Sequence, residues 1–442
     1  MADSLALPPA YAGHAHDHGS DVLTSAGPVD ILIPSFALDG FYYTASNDGG
    51  IDAVLENLDG FAGLGHDHEH EDEDHDHDDH DEDHDHDDES EESGHDHAGH
   101  THGLREGFTL RHAEIGVGAR IPNVAEARFL VNGEEDEGLN LEEAYLKSLG
   151  LPGGFGVKAG KYKSGFGFFN ALHSPYWDFA DQPLVYQLVF GSHGLTETGV
   201  QATWNGLAGP VGLHLGAEVA NSDNEVLFAA SENENADDHQ GPDLGVGWIG
   251  VTPPVGTGRL DLQAFGGYGL SQLDAETVLG EEAPGTEAAL DGRAGFVGGG
   301  VRYTIAGSGQ GHEGDLSVTG EYIWRRYALE PKGEGVTGDL ENYRATQDGY
   351  YLQGVYGFLP RLRGGLRFEQ VGLTNNVRLP DGDDLGFKPS WRAGVMSDWE
   401  VADGLLLRGQ LNQGRYRVSG GEWDDLTEFY LQLVARFGPH AH

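Results

Sequence analysis

The chain of 442 residues contains no cysteine, so disulfides and thiolate metal sites are excluded and any metal must sit on His and carboxylate ligands. Basic residues are scarce: 25 Lys and Arg stand against 74 Asp and Glu, and the net charge of −49 argues against nucleic acid as a partner. No apolar run approaches the roughly 18 residues of a membrane-spanning helix, which leaves a β-barrel as the only way for this chain to cross a bilayer. Catalytic signatures are missing as well. There is no GxSxG elbow, no P-loop, no HExxH and no GxGxxG followed by a helical pattern, and no enzyme is expected. The acidic nonapeptide repeat of Ca²⁺-binding β-helices is absent too. The start, MADSLALPPAYAG, lacks a basic segment followed by an apolar one, so the expectation is a chain whose secretory signal has been removed, with Met1 added.

What is present is short-period alternation and much glycine, 70 residues, with Tyr, Phe and Trp near the ends of the alternating runs, the composition of an outer-membrane barrel. A soluble, acidic, salt-adapted enzyme would share the charge balance, but not this pattern. Sixteen runs of period two lie at about 29–45, 107–120, 124–133, 139–149, 154–164, 196–205, 211–220, 243–252, 258–270, 292–305, 314–327, 347–358, 361–372, 390–400, 404–418 and 427–437. Connections such as IPN, LPGG, PPVGTG and VADG are short and rich in Gly or Pro, and those between them are mostly longer and acidic. The expected fold class is therefore all-β: a transmembrane antiparallel barrel of about 16 strands, with short turns and both termini at the periplasmic end and long loops outside. Its parts are an N-terminal periplasmic segment 1–28, the barrel 29–437 and a tail 438–442.

Faces can be read directly. In VGLHLGAEV, Val211, Leu213, Leu215, Ala217 and Val219 share the side expected to meet lipid, and Gly212, His214, Gly216 and Glu218 the side expected to meet water. The last strand presents Phe429, Leu431, Leu433, Ala435 and Phe437 outward, with an aromatic at each end of the apolar band.

The first outer loop, 47–106, contains the insert 66–102, which holds twelve His and nineteen Asp or Glu with no Lys or Arg and nothing apolar to pack. It reads as a long, solvated, disordered loop. His66, His68, His70, His75, His77, His80, His84, His86, His95, His97, His100 and His102 alternate with carboxylates, a donor set that suits Zn²⁺, with Cu²⁺ and Ni²⁺ as competitors. His at i and i+2 in an extended chain falls on one side, so many overlapping sites of modest affinity are expected. The bland alternative is a hydrophilic loop with incidental metal affinity. His14, His16 and His18 form a secondary copy at the periplasmic end. Acid would take the insert from −19 towards −7 and release metal, because protons compete for the same nitrogens. The acidic outer loops 222–239, 274–291 and 380–384 could bind Ca²⁺ or Mg²⁺ and bridge to lipopolysaccharide.

The final amphipathic strand ending in Phe437 resembles the assembly signal of outer-membrane proteins, which implies the outer-membrane assembly machinery as a partner. LEEAYLKSLGLPGGFGVKAGKYKSGFGFF (141–169) resembles the strand-turn-strand of phosphate-type porins. HSPYWDFADQPLVYQLVFG (173–191) is similar to a segment of uncharacterised proteobacterial outer-membrane proteins with His-rich inserts, often labelled zinc-associated or TonB-dependent receptors. A TonB-dependent receptor carries 22 strands and a plug domain, and about 28 residues before the first run leave no room for one. In sixteen-stranded porins the loop after the fifth strand enters the barrel, and the aromatic stretch 165–195 holds that place. The resemblance thus implies a constriction of His173, Asp178 and Asp181 facing inward Arg111, Arg128, Lys158, Arg363, Arg367, Arg392, Arg408 and Arg436. Those cations could equally pair with Glu114, Glu126, Glu143, Glu218 and Glu369.

The expected function is a Gram-negative outer-membrane channel that gathers divalent metal, zinc above all, through its first loop for passive diffusion. Two alternatives stay open: a non-conducting metal-binding surface barrel, and an anion-selective porin of the phosphate type with the His loop peripheral. The sequence leaves the oligomeric state undetermined.

Overall fold

The computed structural model describes residues 22–438 apart from 27–28, 48, 62–103, 105, 135–137, 223, 225, 230, 232, 234, 237–240, 280–287 and 334–339. The insert 66–102 and the cluster His14, His16 and His18 lie outside the described residues.

The alternating runs form sixteen long strands: β1 (Ser35–Ala45), β2 (Gly107–Ile121), β3 (Ala125–Glu134), β4 (Gly138–Ser148), β5 (Phe155–Lys163), β6 (Thr196–Ala208), β7 (Val211–Ala220), β8 (Leu244–Thr252), β9 (Gly258–Asp274), β10 (Ala289–Ile305), β11 (Leu316–Lys332), β12 (Tyr343–Leu359), β13 (Leu362–Val371), β14 (Ser390–Ala402), β15 (Leu405–Val418) and β16 (Glu422–Phe437). Each is antiparallel to the next, and β16 returns to β1 with Phe437 opposite Phe36 and Glu428 opposite Ala45. The closed sheet has no free edge along the barrel.

Three departures from the sequence reading have local causes. The run 29–45 is broken before β1, because Pro34 has no N–H for a ladder; Val29–Leu32 pairs instead with Val22–Ala26 and places Asp30 opposite Arg120 of β2. At the loop end, β9, β10, β11, β12 and β16 run beyond the alternating region, where strands rise clear of any apolar band. The connection after β13 carries its own hairpin, Asn376–Arg378 against Asp384–Gly386. At the turn end, Gly404 closes VADG with φ 78°, and a Cβ there would collide with the Arg436 carbonyl.

The outer surface is apolar along the strands: Phe108, Ile249, Val297, Leu352, Leu366, Val395, Leu431 and Phe437 are all exposed. Trp399 and Phe358 sit near the turn end and Tyr268 and Phe108 towards the loop end, in the manner of aromatic girdles. A closed barrel dressed in this way has lipid as its solvent, and it spans a membrane.

The expectation of a polar, water-filled interior requires correction. Along β11 the buried inward side chains, from turn end to loop end, are Thr319, Glu321, Ile323, Arg325, Tyr327 and Leu329. Polar character gives way to apolar character because the loop half of the interior faces protein rather than water. There Phe265, Phe296, Tyr351 and Tyr416 pack with three short helices, α1 (Gly50–Glu56), α2 (Leu184–Phe190) and α3 (Ala275–Leu279), into one hydrophobic cluster.

Candidate functional site

β5 and β6 are neighbours in the barrel, yet the chain between them crosses the interior to the opposite wall, β12 to β15. Its composition explains the path. Phe166, Phe179, Leu184, Tyr186 and Phe190 are each no more than 1% exposed, and burying such side chains stabilises by roughly 1.5–3 kcal/mol apiece. Gly167 is needed for the entry bend: its φ is 70°, and a Cβ would collide with the Tyr186 hydroxyl. The Gly167 N–H donates to Gln263 and the Phe168 N–H to Glu321 Oε1 at 2.7 Å, so wall side chains hold the bend.

At the far wall Asp181 is the principal anchor. Its carboxylate accepts from Arg367, from Gln410 Nε2 at 2.5 Å and from Asn412 Nδ2 at 3.0 Å, with Arg392 Nη1 at 2.8 Å. Burial would raise the Asp181 carboxyl, but the guanidiniums of Arg367 and Arg392 prevail and hold it down to about 2. Glu369 completes the anchor by accepting from the Leu184 N–H and from Arg392 Nε, both at 2.7 Å.

Four further cations expected to face this segment do touch it. Arg363 donates to Asp178 at 3.2 Å and to Asp398 at 2.6 Å. Arg408 donates to the Trp177 carbonyl at 2.8 Å. Arg111 donates to the Ala180 carbonyl and lies over the rings of Phe41 and Trp177, and Arg436 lies 5.2 Å from the centre of the Tyr176 ring. Two do not: Arg128 is taken by Glu126 at 2.9 Å, and Lys158 lies over the rings of Tyr145 and Tyr162. A shared strand face brings these two inside the barrel, but local partners satisfy them first.

His173 is a second correction. Instead of the basic wall it meets carboxylates, on account of two β-bulges. In β2 an extra residue, Arg111, lies between His112, opposite Asp39, and Leu110, opposite Gly40. In β4 the extra residue is Glu142, between Glu143 opposite Leu130 and Leu141 opposite Val131. A bulge interrupts alternation, so adjacent residues turn to the same face: Arg111 with His112, and Glu142 with Glu143. His173 Nδ1 then lies 2.7 Å from Glu142 Oε1, and His173 Nε2 3.6 Å from Glu143 Oε2. His112 Nε2 lies 3.3 Å from Glu114 Oε2 and 3.7 Å from Glu142 Oε2. Lys163 Nζ approaches Glu142 Oε1 at 3.7 Å. Burial opposes the charge on His173, yet Glu142 and Glu143 overcome it and the imidazole is pushed up to about 10. The sequence reading missed His112 and Glu142. Their signal was the doubled polar pairs, Arg111-His112 and Glu142-Glu143, within otherwise alternating strands.

A protein of Aquifex aeolicus (strain VF5), described as uncharacterized, is 31% identical over 366 residues, 78% of this chain and 72% of that protein. No family model matches the chain. Among solved structures, the outer membrane channel DcaP of Acinetobacter baumannii superposes with a TM-score of 0.52 at 12% identity, covering 95% of this chain and 100% of that one. The anion-selective porin from Comamonas acidovorans gives a TM-score of 0.48 at 9% identity, over 92% of this chain and 100% of its own. The chain belongs to one family with the Aquifex aeolicus protein, and its fold and lipid-facing surface make it a porin-like β-barrel of the Gram-negative outer membrane.

Proposed function

We propose that this barrel is an outer-membrane channel for divalent metal ions, most naturally Zn²⁺, gathered by the His/Asp/Glu-rich insert 66–102 and admitted passively when the segment 165–195 moves aside. The observation that carries the reading is how that segment is held. Beside the apolar contacts of α2, its far-wall anchor is an ionic and hydrogen-bonded set on Asp181, Arg367, Arg392 and Glu369, charged groups with several alternative partners on the same wall should the segment move. The insert would raise the local ion concentration, and exchange among overlapping His and carboxylate sites would keep release fast.

A second reading is favoured by one observation. Arg367, Arg392 and Arg408 are at most 3% exposed, and the loop half of the interior is packed with apolar side chains. A barrel that stayed in this conformation would be a metal-binding surface protein rather than a channel.

Planar-bilayer recording of the refolded protein in a KCl gradient, with and without micromolar ZnCl₂ and beside a variant lacking residues 66–102, separates the two. Stepwise cation-selective conductance that responds to Zn²⁺ only with the insert present is the expected result. Silence in both proteins would leave the surface-binding role. Anion selectivity indifferent to the deletion would move the function to the arginine-lined interior.

A further inference from the structure

Apart from the insert, the barrel interior contains a second donor cluster of quite different character. His112 Nε2, one oxygen of Glu114 and one of Glu142 all lie within 4.8 Å of one another. His112 and Glu114 stand on β2, Glu142 on β4, and His173 is brought to them by the crossing segment. The side chains of His112, Glu114 and His173 are at most 5% exposed, and that of Glu142 is 10% exposed.

Distances and charge both favour a cation here. Two ligand atoms that each sit ~2.0–2.1 Å from a tetrahedral ion are roughly 3.3 Å apart. The His112 Nε2 to Glu114 Oε2 distance is 3.3 Å, and His112 Nε2 to Glu142 Oε2 is 3.7 Å. His173 Nδ1 is 3.9 Å from Glu114 Oε2, near enough to serve as a fourth ligand after a small rotation. Glu142 Oε2 is buried, points into this space and has no hydrogen-bond partner among the described residues. Three carboxylates, Glu114, Glu142 and Glu143, face the cluster; among the described residues Lys163, whose Nζ also donates to the His193 carbonyl at 2.7 Å, stands beside Glu142, and Lys158 acts on Glu143. A divalent ion bound here would replace the charge that protonated His173 now sets against these buried carboxylates.

We propose that His112, Glu114, Glu142 and His173 form an interior binding site for one divalent transition-metal ion of the Zn²⁺ class, which ties the segment 165–195 to the β2–β4 wall. Nitrogen with carboxylate oxygen selects such an ion over Ca²⁺ or Mg²⁺, which prefer all-oxygen sets. The ion takes the place of the proton shared between His173 and Glu142. This site does not need the insert, and its occupancy is read by metal binding rather than by conductance, so the channel reading and this one can fail separately.

The test is metal titration of the full chain and of a variant lacking residues 66–102, both refolded in detergent, with Co²⁺ as a spectroscopic probe and Zn²⁺ as competitor. Beyond any ion held by His14, His16 and His18, the deletion variant should bind one ion per chain, give the intense visible absorption of four-coordinate Co²⁺, lose it to stoichiometric Zn²⁺, and become resistant to proteolysis within 165–195. Glu142→Gln and His112→Asn in that background should weaken the ion by more than the roughly 10–100-fold that losing a group hydrogen-bonded to a ligand costs. Glu142→Gln is isosteric but leaves His173 and Lys163 short of a partner, so heat-modifiable gel migration and circular dichroism check that both variants fold. No ion in the folded deletion variant, or equal affinity in folded Glu142→Gln, overturns the proposal.

Discussion

Arg392 Nη1 stands 2.8 Å from Asp181 Oδ2, and this pair joins the wall strand β14 to the segment that crosses the barrel. The same guanidinium donates through Nε to Glu369 at 2.7 Å, and Arg367 reaches both carboxylates, so four buried charges form one set. Removing one member strands the others. Breaking such a buried set costs about 3–5 kcal/mol, whereas a surface pair costs little. Asp181→Ala should therefore release the crossing segment: protease cleavage within 165–195 should accelerate at least tenfold in the refolded protein, with the barrel still heat-modifiable on a gel. Unchanged cleavage would show that the apolar contacts of α2 hold the segment by themselves.

Acid should act on the same anchor. The folded Asp181 carboxyl titrates near 2, below its ordinary 3.8, so the stability it contributes is fully present above pH 3.8 and lost as pH falls through about 2. At roughly 1.4 kcal/mol per pH unit of displacement, this amounts to about 2 kcal/mol. Intrinsic Trp fluorescence should report a transition between pH 4 and 2, since Trp177 lies in the segment. Asp181→Asn should lack that transition. An identical transition in the variant would assign it to other carboxylates.

Gly167 offers a backbone test. Ala at φ 70° would add the strain of a left-handed residue, of order 1–3 kcal/mol, and its Cβ would meet the Tyr186 hydroxyl and Glu321. Gly167→Ala should lower the urea midpoint of the refolded barrel, whereas Gly245→Ala, where a Cβ would meet open space, should leave it nearly unchanged. Equal midpoints would mean that the entry bend is not held as described.

Lipid exposure is testable at Leu431, which is 44% exposed in the middle of β16, beside Gln432, which is fully buried on the inward face. Leu431→Arg should cost about 2–4 kcal/mol of folding free energy in vesicles if the site lies near the bilayer midplane. Reversible unfolding from vesicles measures it. A loss well under 1 kcal/mol would place Leu431 outside the apolar band.

Removal of metal should distinguish the two donor sets. Mild chelation should strip the insert first, because its many overlapping His and carboxylate sites of modest affinity exchange ions readily. The interior His112–Glu114–Glu142–His173 set should release its ion more slowly, by tenfold or more in stopped-flow chelation, as three of its four ligands stand on barrel strands. A single fast phase for all ions would contradict this.

The sequence determined the strands and their faces because side chains alternate across a pleated strand, and alternation between lipid and the interior needs no knowledge of what lies further along the chain. Leu213, Leu215 and Val219 could be assigned outward from period alone, and Gly404 marked a turn through its conformational freedom. Arg363, Arg367 and Arg392 were legible as charges on inward strand faces, Asp178 and Asp181 were implied by the resemblance of 165–195 to a porin constriction loop, and the tertiary structure brought them together. Only the tertiary structure decided that the loop half of the interior is packed, because that depends on 165–195 reaching β12 to β15, strands distant in sequence. It also decided where His173 sits. Two bulges, at Arg111 and Glu142, turn doubled polar pairs inward, and a one-residue change of register is set by cross-strand pairing, which no single strand specifies.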